Sequence, residues 1–285
     1  MCNKYPCGVD TAIIYEPDRP CAACGRAELH FVRTIESRRT GSTLNLYFCA
    51  ACESFAMPSS FDQGSRPEHA LEFHKRILDR NLSWSKSLFE RIDAAALPRD
   101  TVVEIGCGSG ATLHVAEALG TRIAVGYDLN ELLSEFARDR FQVEIRSGFW
   151  DRHADHPSAD MLICLSVLEH LNDPDELVGE FAAYCAEHGS VLVVSVPLHD
   201  RSRHHEAFAP YGRGSAFRAG DSHVMYYSPQ GFRALLQRHG ARAVIQAPIR
   251  GWSVHFVAFE RRVAELLRGA RPQLSQASEE AGQPA

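Results

Sequence analysis

Hydrophobic and polar positions change their period twice along the chain. Residues 29–35 (LHFVRTI) and 43–48 (TLNLYF) are mixed runs of β-branched and aromatic residues on either side of Arg39-Thr40-Gly41-Ser42, which predicts an antiparallel hairpin. From Arg66 to Leu97 the pattern becomes helical: Ala70, Leu71, Phe73, His74, Ile77, Leu78 and Leu82, then Leu88, Phe89 and Ile92, recur at helical spacing, and Pro98 closes the stretch. From Thr101 onward, TVVEI, RIAVGY, FQVEI, DMLICLS and SVLVVSV read as five strands, with helices near 110–119, 130–140 and 173–187. Strands that alternate with helices in this way predict a parallel, doubly wound sheet. After a polar loop, Leu198 to Tyr227, come a helix over Pro229–His239 and two strands near ARAVIQA and WSVHFVAFE. The closing RPQLSQASEEAGQPA has no period and reads as a disordered tail.

Cysteines add the first chemistry. Cys21-Ala22-Ala23-Cys24 and Cys49-Ala50-Ala51-Cys52 flank the predicted hairpin, with 24 residues between them. A two-residue spacer lets both thiolates of a pair face one ion, and two such pairs complete a tetrahedral shell with no open position. The expectation is a zinc ribbon in which Cys21, Cys24, Cys49 and Cys52 hold a structural Zn2+. Cys107, Cys164 and Cys185 sit in apolar segments and read as small buried hydrophobes.

The strand TVVEI runs straight into Gly106-Cys107-Gly108-Ser109-Gly110 and then a helix. Glycines there let the backbone turn tightly and approach a ligand at the helix N-terminus, so a nucleotide-type ligand is expected. Asp128, 22 residues after Gly106, closes the next strand, where a carboxylate can accept hydrogen bonds from ribose hydroxyls. Glu104, two residues before the first glycine, is an anion suited to the ammonium of a zwitterionic ligand. Gly106-x-Gly108-x-x-Ala111 also satisfies the dinucleotide fingerprint, so these residues alone leave NAD open.

VEIGCGSG, GYDLN and SVLEHLNDP, with the later HVMYYSPQGFRALLQRHG, resemble the class I S-adenosylmethionine-dependent methyltransferases, in particular their ubiquinone-biosynthesis-like branch. The resemblance runs from about residue 101 to 260 and implies a Rossmann-like, seven-stranded α/β sheet preceded by the small four-cysteine ribbon. It also implies that Glu104, Gly106, Gly108 and Gly110 border the methionine end of S-adenosylmethionine, Asp128 the ribose and Leu129 the adenine, with Ser166 beside the sulfur. The branch often has Gly-Asp after the third strand; this chain has Gly148-Phe149-Trp150, so Phe149 is expected to pack on the base instead. The resulting organisation is a ribbon over 1–60, a helical connector and lid over 61–98, the methyltransferase domain over 99–264 and the tail over 265–285.

Methyl transfer to a hydroxyl needs a base, and histidine titrates in the useful range. His170, just after the fourth strand, and His223, before the late helix, are the candidates, with Glu169 as a buttress. The loop after Leu198 is long enough to cap an acceptor pocket, and its arginines suit an acceptor bearing carboxylate or phosphate. Lys and Arg number 30 against 36 Asp and Glu, a net charge of -6, and residues 1–60 balance six basic against six acidic residues. Such a balance argues against a nucleic-acid partner and favours a small-molecule or glycan acceptor. An RNA methyltransferase that grips its substrate with the ribbon, and a non-catalytic scaffold, are the alternatives. No apolar run approaches a membrane span and the start lacks an apolar signal core, so the expectation is a cytoplasmic protein, with its number of subunits left open.

Overall fold

In the computed structural model, which describes residues 20–26, 29–36, 43–57, 67–199 and 223–276, the chain divides into two compact units, each with its own sheet. The first unit takes Met1–Gly64, Glu169–Pro174 and Leu198–Ala234, and the second takes Ser65–Leu168, Asp175–Pro197 and Leu235–Ala285.

In the first unit, β1 (Leu29–Glu36) and β2 (Thr43–Cys49) form the expected antiparallel hairpin, with a bulge between Phe31 and Arg33. The hairpin is half of a four-stranded sheet. β2 pairs with β3 (Phe55–Ala56), and β3 pairs with β9 (Met225–Tyr226), all antiparallel. Leu46, Phe55, Met57 and Tyr226 form a small buried cluster, with the Phe48 ring 4.8 Å from that of Phe55. α6 (Pro229–Arg238) follows, its Phe232 packed edge-on against Tyr227. The expected turn over 39–42 and most of the polar loop, residues 200–222, lie outside the described residues.

The second unit is the doubly wound sheet. Its strands are β4 (Thr101–Ile105), β5 (Ile123–Asp128), β6 (Glu144–Ser147), β7 (Met161–Leu165), β8 (Val191–Ser195), β10 (Ala243–Ile249) and β11 (Trp252–Ala258). They lie in the order β10-β11-β8-β7-β4-β5-β6. The five strands β4 to β8 run parallel, and the β10–β11 hairpin joins β8 antiparallel. β4 and β8 are buried along their whole length, as near-continuous runs of Val and Ile require when helices cover both faces. Because β4 has β5 on one side and β7 on the other, the winding direction reverses there, and ligands of open α/β sheets bind at the carboxyl ends beside such a reversal.

The stretch expected as a connector is two helices, α1 (Pro67–Arg76) and α2 (Leu78–Ala94). α2 delivers Leu88, Phe89 and Ile92 into the main core beside Met161, Ile163, Val193 and Phe256, so it is a wall of the α/β unit. Between the strands run α3 (Ala111–Ala118), α4 (Glu131–Phe141) and α5 (Asp175–His188). One expectation is corrected at the C-terminus: residues 265–274, read as the start of a disordered tail, belong to α7 (Arg261–Leu274). Val263, Leu267, Ala270 and Leu274 recur at three- to four-residue steps and are buried in the main core, which holds the helix in spite of Pro272. Residues 277–285 lie outside the described residues. No helix among the described residues is long and apolar enough to cross a membrane.

Candidate active site and metal centre

The glycine loop leaves β4 and is fastened to the end of β5. Gly106 and Cys107 donate their N–H groups to the Tyr127 carbonyl at 2.8 and 3.1 Å, and Gly108 N–H donates to Asp128 Oδ2 at 2.7 Å. Asp128 Oδ1 accepts from Asn130 N–H at 2.8 Å, so one carboxylate ties the loop to the start of α4. Gly106, Gly108 and Gly110 all have φ between 51° and 72°, a backbone that only glycine adopts without strain. At Gly106 a Cβ would also lie 2.3 Å from Val167. Glu104 is buried under the loop. Burial pushes its carboxyl up to about 8, opposed by a hydrogen bond with Thr112 and reinforced by the nearby charge of Asp128. Its Oε2 has no hydrogen-bond partner among the described residues.

Around this loop stand the other residues expected to meet the cofactor. Leu129 and Phe149, at the ends of β5 and β6, are large apolar side chains left 62% and 48% exposed in a unit that buries most others. Ser166, at the end of β7, has φ +54° and donates its N–H to the Ser195 carbonyl at 3.0 Å. A non-glycine residue in the left-handed region is held there by its surroundings, and such residues gather at functional sites.

His170 and His223 come together in the first unit. Their ring centroids lie 4.8 Å apart, nearly edge to face, and His223 Nε2 is 4.0 Å from Glu169 Oε1. The carboxylate of Glu169 is buried, and its backbone carbonyl accepts from Val224 N–H at 2.8 Å, which joins the His170 turn to the His223 segment. Burial, with the charge of His170 adding to it, pushes the His223 imidazole down to about 4. One ligand atom from each of Glu169, His170 and His223 can be chosen so that all lie within 4.8 Å of one another.

The four knuckle cysteines also converge, all free, with their sulfurs within 4.8 Å of one another. Cys21 Sγ lies 3.7 Å from Cys52 Sγ, and Cys24 Sγ lies 3.6 Å from Cys49 Sγ. The two knuckles share one backbone design. Gly25 N–H returns to the Cys21 carbonyl at 2.7 Å and Glu53 N–H to that of Cys49 at 2.8 Å, and Gly25 and Glu53 both have positive φ. Burial raises the Cys49 thiol to about 12.

Comparison with known proteins covers residues of both units. A family model described as "Methyltransferase domain" matches residues 73–246, more than half of the chain. The chain belongs to this methyltransferase family. It is an S-adenosylmethionine-dependent methyltransferase with the mixed seven-stranded sheet of the Rossmann-like enzymes. Among solved structures, a chain of a complex containing the Haloferax volcanii Trm112 methyltransferase activator is 18% identical, with a TM-score of 0.51 over 68% of this chain and 97% of that one. Mitomycin 7-O-methyltransferase is 19% identical, with a TM-score of 0.50 over 68% of this chain and 58% of that one. No curated protein gives a significant match.

One residue of the methyltransferase was missed in the sequence. His74, counted with the apolar face of its helix, stands directly against the middle glycine of the loop: a Cβ on Gly108 would lie 2.5 Å from its Cε1. Helical spacing marks which positions turn inward, and says nothing of the loop they meet.

Proposed function

We propose that this methyltransferase transfers a methyl group to a hydroxyl of a small-molecule or glycan acceptor, with His170 and His223 as the base, and that it belongs to the ubiquinone-biosynthesis-like branch. The observation that carries the base is the edge-to-face histidine pair beside the buried Glu169 carboxylate. His223 is held neutral at pH 7, so its ring nitrogen can accept a hydroxyl proton, and the Glu169 carboxyl lies 4.0 Å from its Nε2. The solved O-methyltransferase with the same fold is consistent with such an acceptor.

S-adenosylmethionine supplies the methyl group on a sulfonium, displaced in line by the acceptor oxygen. The loop residues fit this cofactor. Glu104 Oε2 is a buried acceptor awaiting a donor, which the ammonium of the methionine end provides. Gly106, Gly108 and Gly110 open the backbone toward it, Asp128 takes the ribose, Leu129 and Phe149 offer apolar faces for adenine, and Ser166 lies by the sulfur. Holding acceptor and donor in line contributes ~7–11 kcal/mol, so these binding residues carry most of the rate.

Cys21, Cys24, Cys49 and Cys52 hold a structural Zn2+ in this reading. A tetrahedron with Zn–S arms of about 2.3 Å has edges of about 3.8 Å, and the pairs at 3.6 and 3.7 Å match that spacing. Thiols kept free for a metal fit a reducing, cytoplasmic setting.

Radiolabelled methyl transfer to a panel of hydroxylated small molecules, glycans and RNA tests the acceptor class. His170→Asn and His223→Asn are expected to lower kcat by ~10²–10⁴-fold while leaving S-adenosylhomocysteine affinity within about threefold. Full kcat in both variants, or methylation of RNA alone, sinks the reading.

A further inference from the structure

The cofactor placement proposed above assigns Glu104 to the ammonium of the methionine end and leaves the α-carboxylate without a side-chain partner. That carboxylate enters a space already edged by two acids, Glu104 and Asp128, the charge of Asp128 acting on Glu104. An anion near the Asp128 charge needs a donor close by, since like charges in a poorly solvated site repel.

His74 is placed to be that donor. Its ring stands on Gly108, with Cε1 2.5 Å and Nδ1 3.0 Å from the point a Cβ would occupy, so the imidazole edge faces the loop backbone. Nδ1 is buried and has no hydrogen-bond partner among the described residues, which is costly for a polar atom unless a ligand completes it. α1 is fixed over the loop by the hydrogen bond from Asn130 Nδ2 to the Pro67 carbonyl, 3.3 Å, and by Lys75 above the Phe136 ring of α4. Asn130 is in turn the residue whose N–H holds Asp128, so the histidine, the glycine and the ribose carboxylate form one connected frame. Burial lowers the His74 imidazole from its ordinary range, against the opposing charge of Asp128, which leaves a neutral ring with a single N–H to aim.

We propose that His74 is a cofactor-binding residue: with the proton on Nδ1, it donates to the α-carboxylate of the methionine end, beside Gly108 and the N-terminus of α3. The two ends of the zwitterion are thereby sorted, ammonium toward Glu104 and carboxylate toward His74 and the positive end of the helix dipole. Ligands that lack the carboxylate lose the His74 contact together with the attraction of the helix N-terminus, and keep the contacts of the amine, ribose and base.

Calorimetry on the full chain with S-adenosylhomocysteine and with its decarboxylated analogue, which keeps the amine, tests the assignment. His74→Ala is expected to weaken S-adenosylhomocysteine roughly tenfold or more and the analogue less than about twofold. His74→Asn, whose amide nitrogen can stand near the Nδ1 position, is expected to restore binding to within about threefold of the unaltered chain and serves if the alanine variant misfolds. Equal losses for both ligands would mean a packing role and overturn the proposal, as would undiminished S-adenosylhomocysteine binding in His74→Ala. If the unaltered chain bound neither ligand, the placement of the cofactor itself would fall, and this assignment with it.

Discussion

The seven-stranded sheet is sealed on its faces by helices that bring Leu88, Phe89, Ile92, Val263 and Leu267 onto Val102, Ile163, Val193 and Phe256. The four-stranded sheet has, among the described residues, a cluster of Leu46, Phe55, Met57 and Tyr226, and beside it four thiols. Burial scales with the size of a unit, and a small unit that cannot cover its own strands needs a staple. On the proposed zinc reading, the large sheet is held by many interchangeable apolar contacts and the small one by a few metal ligands.

Metal removal is the sharpest way to break that comparison. Structural zinc in a four-thiolate site is worth ~10–16 kcal/mol, far more than the small apolar cluster supplies. Cys52→Ser or exhaustive chelation is expected to abolish amide-exchange protection in β1 and β2 while β4 and β8 stay protected. Survival of β1 and β2 in metal-free protein would refute the staple. In the large sheet no single side chain has such weight. Phe256→Ala, a truncation in the main core, should cost ~3–5 kcal/mol in chemical denaturation and leave the unit folded.

The two units should also answer pH in opposite senses. His223 has a folded pKa of about 4 against an ordinary 6.5, so the unfolded chain takes up a proton first. The first unit loses stability as pH falls from about 6.5 to about 4, by at most about 3 kcal/mol, and His223→Asn should flatten that slope. Glu104 is raised to about 8 from 4.5, so the folded second unit keeps its proton longer. Its contribution is complete below about 4.5 and is lost as pH rises toward 8, and Glu104→Gln should remove that loss. Thermal melts across pH, followed by probes in each unit, would show whether the slopes have these signs. The smallest effect is expected at Asn130, whose Oδ1 caps α4 by accepting from Leu133 N–H at 3.2 Å: Asn130→Ala should cost about 1 kcal/mol.

Much of the large unit was legible because its elements are written locally. Runs such as Thr101–Ile105 and Val191–Ser195 are mostly apolar and rich in β-branched residues, and the glycines at 106, 108 and 110 punctuate a strand-to-helix turn. The knuckles were legible through spacing alone. What escaped the sequence depends on distant partners. β3 and β9 are two residues each, too short for any period: β3 is a strand because it pairs with β2 and β9, and β9 because it pairs with β3. The end of α7 was obscured by Gly269, Pro272 and a polar outer face, although its buried positions follow helical steps. His74 belonged to a readable helix, yet its function rests on which loop that helix covers.

The pairing of Phe55 with Tyr226 has a consequence for the order in which this protein is made. All four knuckle cysteines have been synthesised once residue 52 is added, while the strand that completes their sheet follows about 170 residues later. At ~5–20 residues per second, that delay is roughly 9–34 s. Throughout it the edge of β3 has no neighbour, and the Cys52 carbonyl lacks the Ser228 hydroxyl that later donates to it. On the proposed zinc reading the thiols can gather their ion early, but the sheet closes only when the large domain is mostly synthesised, so a hairpin made before that domain is finished after most of it.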